Sequence, residues 1–164
     1  MILRVALLLL FAGLTGCVST GTVDPLKTEE GRQQARDAYI QLGIGYVQQG
    51  TASRAKTPLR KALELDPRSA DAHAALALVF QTEMENELAD KHYREALASR
   101  RDARILNNYG SFLFEQKRYA EALERFTQAS EDNLYPERAR VFQNMGMTAL
   151  KLNQPEQAEK YFTR

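Results

Sequence analysis

From residue 32 onward, apolar and small positions recur at helical spacing, and the whole pattern then recurs as a block. Four small residues, Gly43, Ala77, Gly110 and Gly146, stand 34, 33 and 36 residues apart. Twelve residues after each comes an alanine (Ala55, Ala89, Ala122, Ala158), and four further on a large apolar residue (Leu59, Tyr93, Phe126, Phe162). Three blocks add another alanine, at Ala62, Ala96 and Ala129. Apolar positions spaced by three and four predict helices with one buried face. Turn signals divide the blocks, with Gln49-Gly50 inside the first and Asp66-Pro67 at its end. Ser69 and Asn86 fit as N-caps. Each block is therefore expected to be two antiparallel helices. The small residues let their backbones approach, and the large residue fills the space beside them.

The pattern resembles the tetratricopeptide repeat. It is carried by Tyr39, Leu42, Gly43, Tyr46, Ala55, Leu59, Ala62 and Pro67, then by His73, Leu76, Ala77, Phe80, Ala89, Tyr93 and Ala96. Leu106, Gly110, Leu113, Ala122, Phe126 and Ala129 carry it a third time. Two features depart from it: the chain has no tryptophan, and the second block lacks the closing proline. The resemblance implies an all-α fold, a superhelical solenoid of antiparallel helix pairs. Repeats are expected at about 36–69, 70–102, 103–138 and 139–164, the last incomplete. Arg164 falls inside the expected second helix of the fourth repeat, where a solenoid would need a polar-faced cap. The chain reads as the front part of a longer protein.

The first residues follow a different pattern. Arg4 precedes an unbroken apolar run, Val5 to Leu14. Ten helical residues reach about 15 Å, half of a hydrocarbon core, so the run suits a cleaved leader and not a permanent span. It ends Leu14-Thr15-Gly16-Cys17, which resembles the lipobox of bacterial lipoproteins. That resemblance implies cleavage before Cys17 and lipid on its thiol and new amino terminus, and two or more acyl chains give stable anchoring. Cys17 is the only cysteine, so no disulfide can form within the chain. The competing readings are a buried free thiol, or an ordinary secreted leader followed by a chance cysteine. Residues 1–16 are read as the lipoprotein signal peptide, 17–31 as a lipid-anchored flexible tether and 32–164 as the repeat domain. Val18 stands where some lipoproteins carry an aspartate that retains them in the inner membrane. By that likeness the protein is expected at the outer membrane, facing the periplasm.

Charge and chemistry narrow the function. Lysine and arginine number 22 against 21 acidic residues, interleaved without a basic block, which gives nucleic-acid binding no support. No Gly-rich phosphate loop, metal-ligand spacing or nucleophile arrangement occurs. Of the two histidines, His73 occupies a packing position and His92, beside Lys91, is expected to be solvated. The reading is a non-enzyme without cofactor, metal or small-molecule substrate, one that binds protein partners.

Solenoids bind on their concave face, which in these repeats is lined by the first helix of each pair. Tyr39, Leu42, Gly43 and Tyr46 are committed to packing. A neighbouring stripe, Ile40, Ile44 and Val47, is apolar without being required by the pattern. Leu78 continues it in the second repeat, and Asn107, Ser111 and Phe114 in the third. These residues either pack against adjacent helices or form a groove for an apolar or extended partner segment. The lysine and asparagine that clamp a terminal carboxylate in some tetratricopeptide proteins would fall at Ile40 and Ile44, which argues against that mode.

Several stretches are more specific than the repeat itself: Gly31–Gly45 (GRQQARDAYIQLGIG), Asp71–Met84 (DAHAALALVFQTEM), Asn107–Ala122 (NNYGSFLFEQKRYAEA) and Leu134–Met145 (LYPERARVFQNM). Together with the leader they resemble the type IV pilus biogenesis/stability lipoproteins, the pilotins. The resemblance implies a helper that binds secretin subunits and promotes their localisation and multimerisation at the outer membrane. Lipid on Cys17 would supply the membrane attachment. A lipoprotein scaffold for outer-membrane protein insertion or peptidoglycan synthesis would share the same features.

Overall fold

The computed structural model describes residues 24–164. The leader and the first part of the stretch read as tether, residues 17–23 with Cys17, lie outside them. A 3-10 turn at Pro25–Lys27 leads into eight helices. These are α1 (Glu29–Gln48), α2 (Ala52–Leu65), α3 (Ala70–Thr82), α4 (Asn86–Ser99), α5 (Ala103–Glu115), α6 (Tyr119–Ser130), α7 (Arg138–Lys151) and α8 (Pro155–Phe162). Among the described residues there is no strand. Helices pack against their chain neighbours throughout, the pairs α1–α2, α3–α4, α5–α6 and α7–α8 forming the four blocks. α1 starts at Glu29, so the last three residues of the segment read as tether are helical.

The small–large pairing that defined the repeat is realised in space. A methyl group at Gly43 would lie 2.5 Å from Leu59 Cδ2, and one at Gly110 would lie 2.6 Å from Phe126 Cε1. At Gly146 it would collide with the Phe162 ring. Such gaps are far below carbon–carbon contact, so only glycine lets these large side chains lie against the facing backbone. Leu59 and Phe126 are buried, as are the alanines one turn before them, Ala55 and Ala122.

Within every block the two helices are joined by the same turn. Gly50, Met84, Lys117 and Asn153 have φ of 72°, 62°, 60° and 57°. The next amide donates back to the carbonyl five residues earlier: Thr51 to Tyr46, Glu85 to Phe80, Arg118 to Leu113 and Gln154 to Ala149, each at 2.9 Å. This is the Schellman motif with its left-handed residue. It fixes the start of each second helix, none of which has a side-chain N-cap. Three first helices do have one: Thr28, Ser69 and Asp102 accept from backbone N–H groups of α1, α3 and α5. Asn86, expected as a cap, is instead the first residue of α4. Pro58, unlike Pro67, marks no break; it is buried inside α2.

The core is a continuous ribbon of apolar side chains between the two helix layers, with Leu59, Leu76, Tyr93, Phe112, Leu113, Phe126 and Val141 fully enclosed. The junction between the second and third blocks has its own character. The backbones of α4 and α5 approach at fewer places than those of α2 and α3 or of α6 and α7. Aromatic rings fill the gap: Tyr93 lies 5.1 Å from Tyr109 and 5.6 Å from Phe112, centroid to centroid. Buried Asp90 of α4 accepts from the Tyr109 hydroxyl at 2.9 Å and from Arg118 at 2.7 Å, and pairs with Arg94 on its own helix. A carboxylate taken out of water needs such partners.

Candidate functional site

The first helices form the inner layer of the curve. α1 contacts α3 and α5 contacts α7, and no comparable contact links alternate second helices. Side chains on this layer fall into register rows set by the repeat spacing. One row runs Ile44, Leu78, Ser111, Met147 and the next Val47, Gln81, Phe114, Leu150.

The predicted groove residues divide into three groups. Ile44, Val47, Leu78 and Phe114 are half-buried, one side packed on the core. Ser111 is half-buried and donates to the Asn107 carbonyl at 3.0 Å, as helical serines do. Ile40 and Asn107 correct the expectation, being 4% exposed each. Ile40 packs into a small cluster with Ala62 and Ala72. Asn107 Oδ1 accepts from Asn144 Nδ2 at 3.1 Å, joining α5 to α7. Asn107 is committed to that bond, and Ile40 offers only the edge that lines the larger hollow described below. Leu42, assigned to packing, is 47% exposed because it projects beside the helix pair and not into it.

Two hollows open along this layer. One, about 190 Å³, is lined by Ser111, Phe114, Glu115, Phe126, Asn144 and Met147. Its floor is aromatic and its rim carries an amide, a hydroxyl and a carboxylate, which suits one apolar side chain of an extended segment. The other, about 460 Å³, combines Ile40 and Ile44 with Gln41 and four charged side chains, Arg36, Asp37, Asp71 and Arg104. Val47 and Leu78 line neither. Asn144, Met147 and Leu150 were missed by sequence reasoning, though Met147 and Leu150 are 49% and 48% exposed. Carrying the Ser111 and Phe114 register forward by the 36-residue spacing would have found both.

The charges at the second hollow are mutually compensated. Asp71 accepts from Arg100 at 2.8 Å and from Arg104 at 2.7 Å. Those guanidiniums, Arg100 foremost, hold its carboxyl below the usual carboxylate range. Arg36 is held protonated above its usual value chiefly by Asp37 and further by Asp66. Between the hollows, Gln81 donates to Glu115 at 2.7 Å and accepts from the Tyr93 hydroxyl at 3.0 Å, tying the second repeat to the third. Burial raises the Tyr93 phenol above its ordinary pKa, so it keeps the proton that it donates to Gln81. A larger cleft, about 650 Å³, lies elsewhere, at the turn before α7, among Arg101, Arg104, Leu106, Glu131, Leu134 and Tyr135.

Residues 101–164 match the tetratricopeptide-repeat family profile. Over its whole length the chain is 63% identical to the type IV pilus assembly protein PilF of Pseudomonas aeruginosa, of which it spans 66%. The solved structure of Pseudomonas aeruginosa PilF superposes with a TM-score of 0.79 at 66% identity, over 81% of this chain and 60% of that one. PilW, described as a widely conserved type IV pilus biogenesis factor, superposes at 0.74 with 31% identity, over 80% of this chain and 60% of its own. The crystal structure of MamA shares the fold alone, with a TM-score of 0.70 at 22% identity, over 78% of this chain and 74% of that one.

Proposed function

This chain belongs to the family of tetratricopeptide-repeat proteins that includes the type IV pilus assembly protein PilF, and from that premise we propose that it is a pilotin. In this reading it is a non-enzymatic lipoprotein that binds secretin subunits and promotes their localisation and multimerisation at the outer membrane. The observation that carries the proposal is the 63% identity to PilF along the entire chain, leader included. Lipid on Cys17 supplies the address, and the inner helix layer supplies recognition. A half-buried apolar row beside small hollows suits an extended, partly apolar segment better than a folded surface, because the smaller hollow has room for about one side chain.

The test uses the full-length gene in its own bacterium. Heat-stable secretin multimers in outer-membrane fractions are compared for wild type, a deletion and Cys17→Ala. The proposal expects the deletion to abolish the multimers and Cys17→Ala to reduce or misplace them. Equal multimers in all three strains would refute it and turn attention to scaffolding of outer-membrane protein insertion or peptidoglycan synthesis. In purified protein, Ile44→Asp and Leu78→Asp are expected to weaken secretin binding at unchanged helical content. Undiminished binding by both folded variants would remove the groove assignment while leaving the pilotin reading open to the first experiment.

A further inference from the structure

The second repeat holds both of the chain's histidines, and they face each other between α3 and α4. Their Nδ1 atoms lie 2.9 Å apart, and His73 Nε2 lies 3.1 Å from the carbonyl oxygen of Pro67. A carbonyl can only accept, so Nε2 carries the proton of a neutral His73 and its Nδ1 keeps a lone pair. The proton between the rings must then come from His92 Nδ1. The ring centroids are 5.2 Å apart, which is the nitrogen gap plus one ring radius at each end. The nitrogens therefore meet head-on. Such alignment makes a hydrogen bond and not a chelate, in which both lone pairs would converge on a point off the line between them. His73 is buried, and His92, expected to be solvated, is half-buried with Phe80 stacked on it at 5.3 Å.

Pro67 lies in the turn that joins the first repeat to the second. The bonded series Pro67–His73–His92 thus ties that turn to both helices of the second repeat. We propose that the His73–His92 pair is an acid-sensitive latch between the first two repeats, closed by a single proton shared between the rings and opened when both imidazoles are protonated.

The reasoning is one of proton counting. A first added proton enters at the outer Nε2 of His92 and leaves the bridge intact, the bridging proton passing to His73 Nδ1 so that His73 carries the charge. A second must then sit on His92 Nδ1, setting N–H against N–H between two cations. The surrounding charges work against protonation of His92: Arg60 from α2, His73 from α3 and Lys91 on α4 itself oppose it, with Glu95 of α4 acting the other way. Burial is the leading cause, and together these hold the His92 imidazole down to about 4. An unfolded histidine takes up its proton near pH 6.5. The depressed native value therefore means that the latch contributes its full stability above about pH 6.5, and loses it as pH falls toward 4. None of this depends on which partner the protein binds.

Imidazole proton NMR on the full chain tests the idea directly, since every histidine resonance belongs to the pair. The expected result is a His92 midpoint below about pH 5.5, with the second protonation accompanied by at least about tenfold faster amide exchange at Ser69 and His73, as the turn opens. His92→Asn keeps an N–H, on the nitrogen attached to Cγ, able to donate to His73 Nδ1 but cannot titrate. It is expected to stay folded at pH 7, and to lose at least about half of the acid-induced drop in urea midpoint. Independent titration of both rings near pH 6.5, or an identical drop in His92→Asn, would overturn the proposal. Should that variant not fold, the wild-type titration decides alone.

Discussion

Alanine substitution at two glycines of first helices should have opposite signs. Gly110 lies in α5 with the Phe126 ring pressed on its Cα, and a methyl group there would sit 2.6, 2.7 and 3.0 Å from three ring carbons. Phe126 is 1% exposed, and the ring is packed on every side but the edge that floors the small hollow. Restoring ordinary contact near 3.5–4.0 Å requires α5 and α6 to part by about 1 Å. Overpacking of this kind costs about 1–3 kcal/mol. Gly45 in α1 has nothing within 4 Å of the same construction. At both sites alanine gains up to about 1 kcal/mol of helix propensity over glycine. That gain nearly cancels between the two variants, so the difference in their stabilities isolates the steric term. Gly45→Ala is expected to stabilise, by up to about 1 kcal/mol. Gly110→Ala should fall about 1–3 kcal/mol below it. Urea unfolding followed by far-ultraviolet circular dichroism measures both. Adding Phe126→Leu to Gly110→Ala should recover at least about 0.5 kcal/mol of coupling, because the smaller side chain vacates the contested space. If Gly110→Ala proves as stabilising as Gly45→Ala, the ring is not locked against the backbone and the account of the repeat given above fails.

Three other outcomes can be checked in the same way. Lys117 occupies a left-handed turn position that costs a side-chain residue about 1–2 kcal/mol, so Lys117→Gly should be neutral or raise the urea midpoint despite the added chain entropy; a clear loss would refute this. Asp90→Ala takes the acceptor from the Tyr109 hydroxyl and removes one of the two carboxylates paired with Arg118, Glu121 being the other, and should destabilise by about 1–3 kcal/mol. Asp71 has its carboxyl pKa lowered by Arg100 and Arg104, so its contribution is present above the ordinary carboxylate range and is lost as pH falls through the depressed value. Asp71→Asn should therefore lower the urea midpoint at pH 7 and shrink the loss between neutral pH and pH 3; unaltered acid sensitivity would count against the pairing.

Much of this architecture was legible because it rests on residues whose size is their function. Gly43, Gly110 and Gly146 announce a close approach, and Leu59, Phe126 and Phe162 at constant offset announce what does the approaching. The turns inside the repeats were less legible. Gly50 marks the first, but Met84 and Lys117 adopt the same left-handed backbone, held by Schellman bonds that make no demand on side-chain identity. The inner face was half readable. Helical spacing placed Ile44, Leu78, Ser111 and Phe114 on it, but could not tell Ile40, which dips under the neighbouring helix, from Ile44, which stays at the surface. Asn107 looked available because sequence does not reveal that Asn144, on another helix, engages it. His92 was misjudged for the same reason, its partners lying on α3.

The seam between α4 and α5 has a mechanical consequence. Where backbones interlock through glycine, as in the first, third and fourth blocks, sliding requires atoms to pass through one another. Across this seam the load is carried by stacked rings and by a carboxylate bonded to a tyrosine hydroxyl and an arginine, side-chain contacts that depend on no interlocked backbone. The array is then expected to flex first at this seam, about Tyr93 and Tyr109, where a small rotation would open or tighten the arc of the inner face.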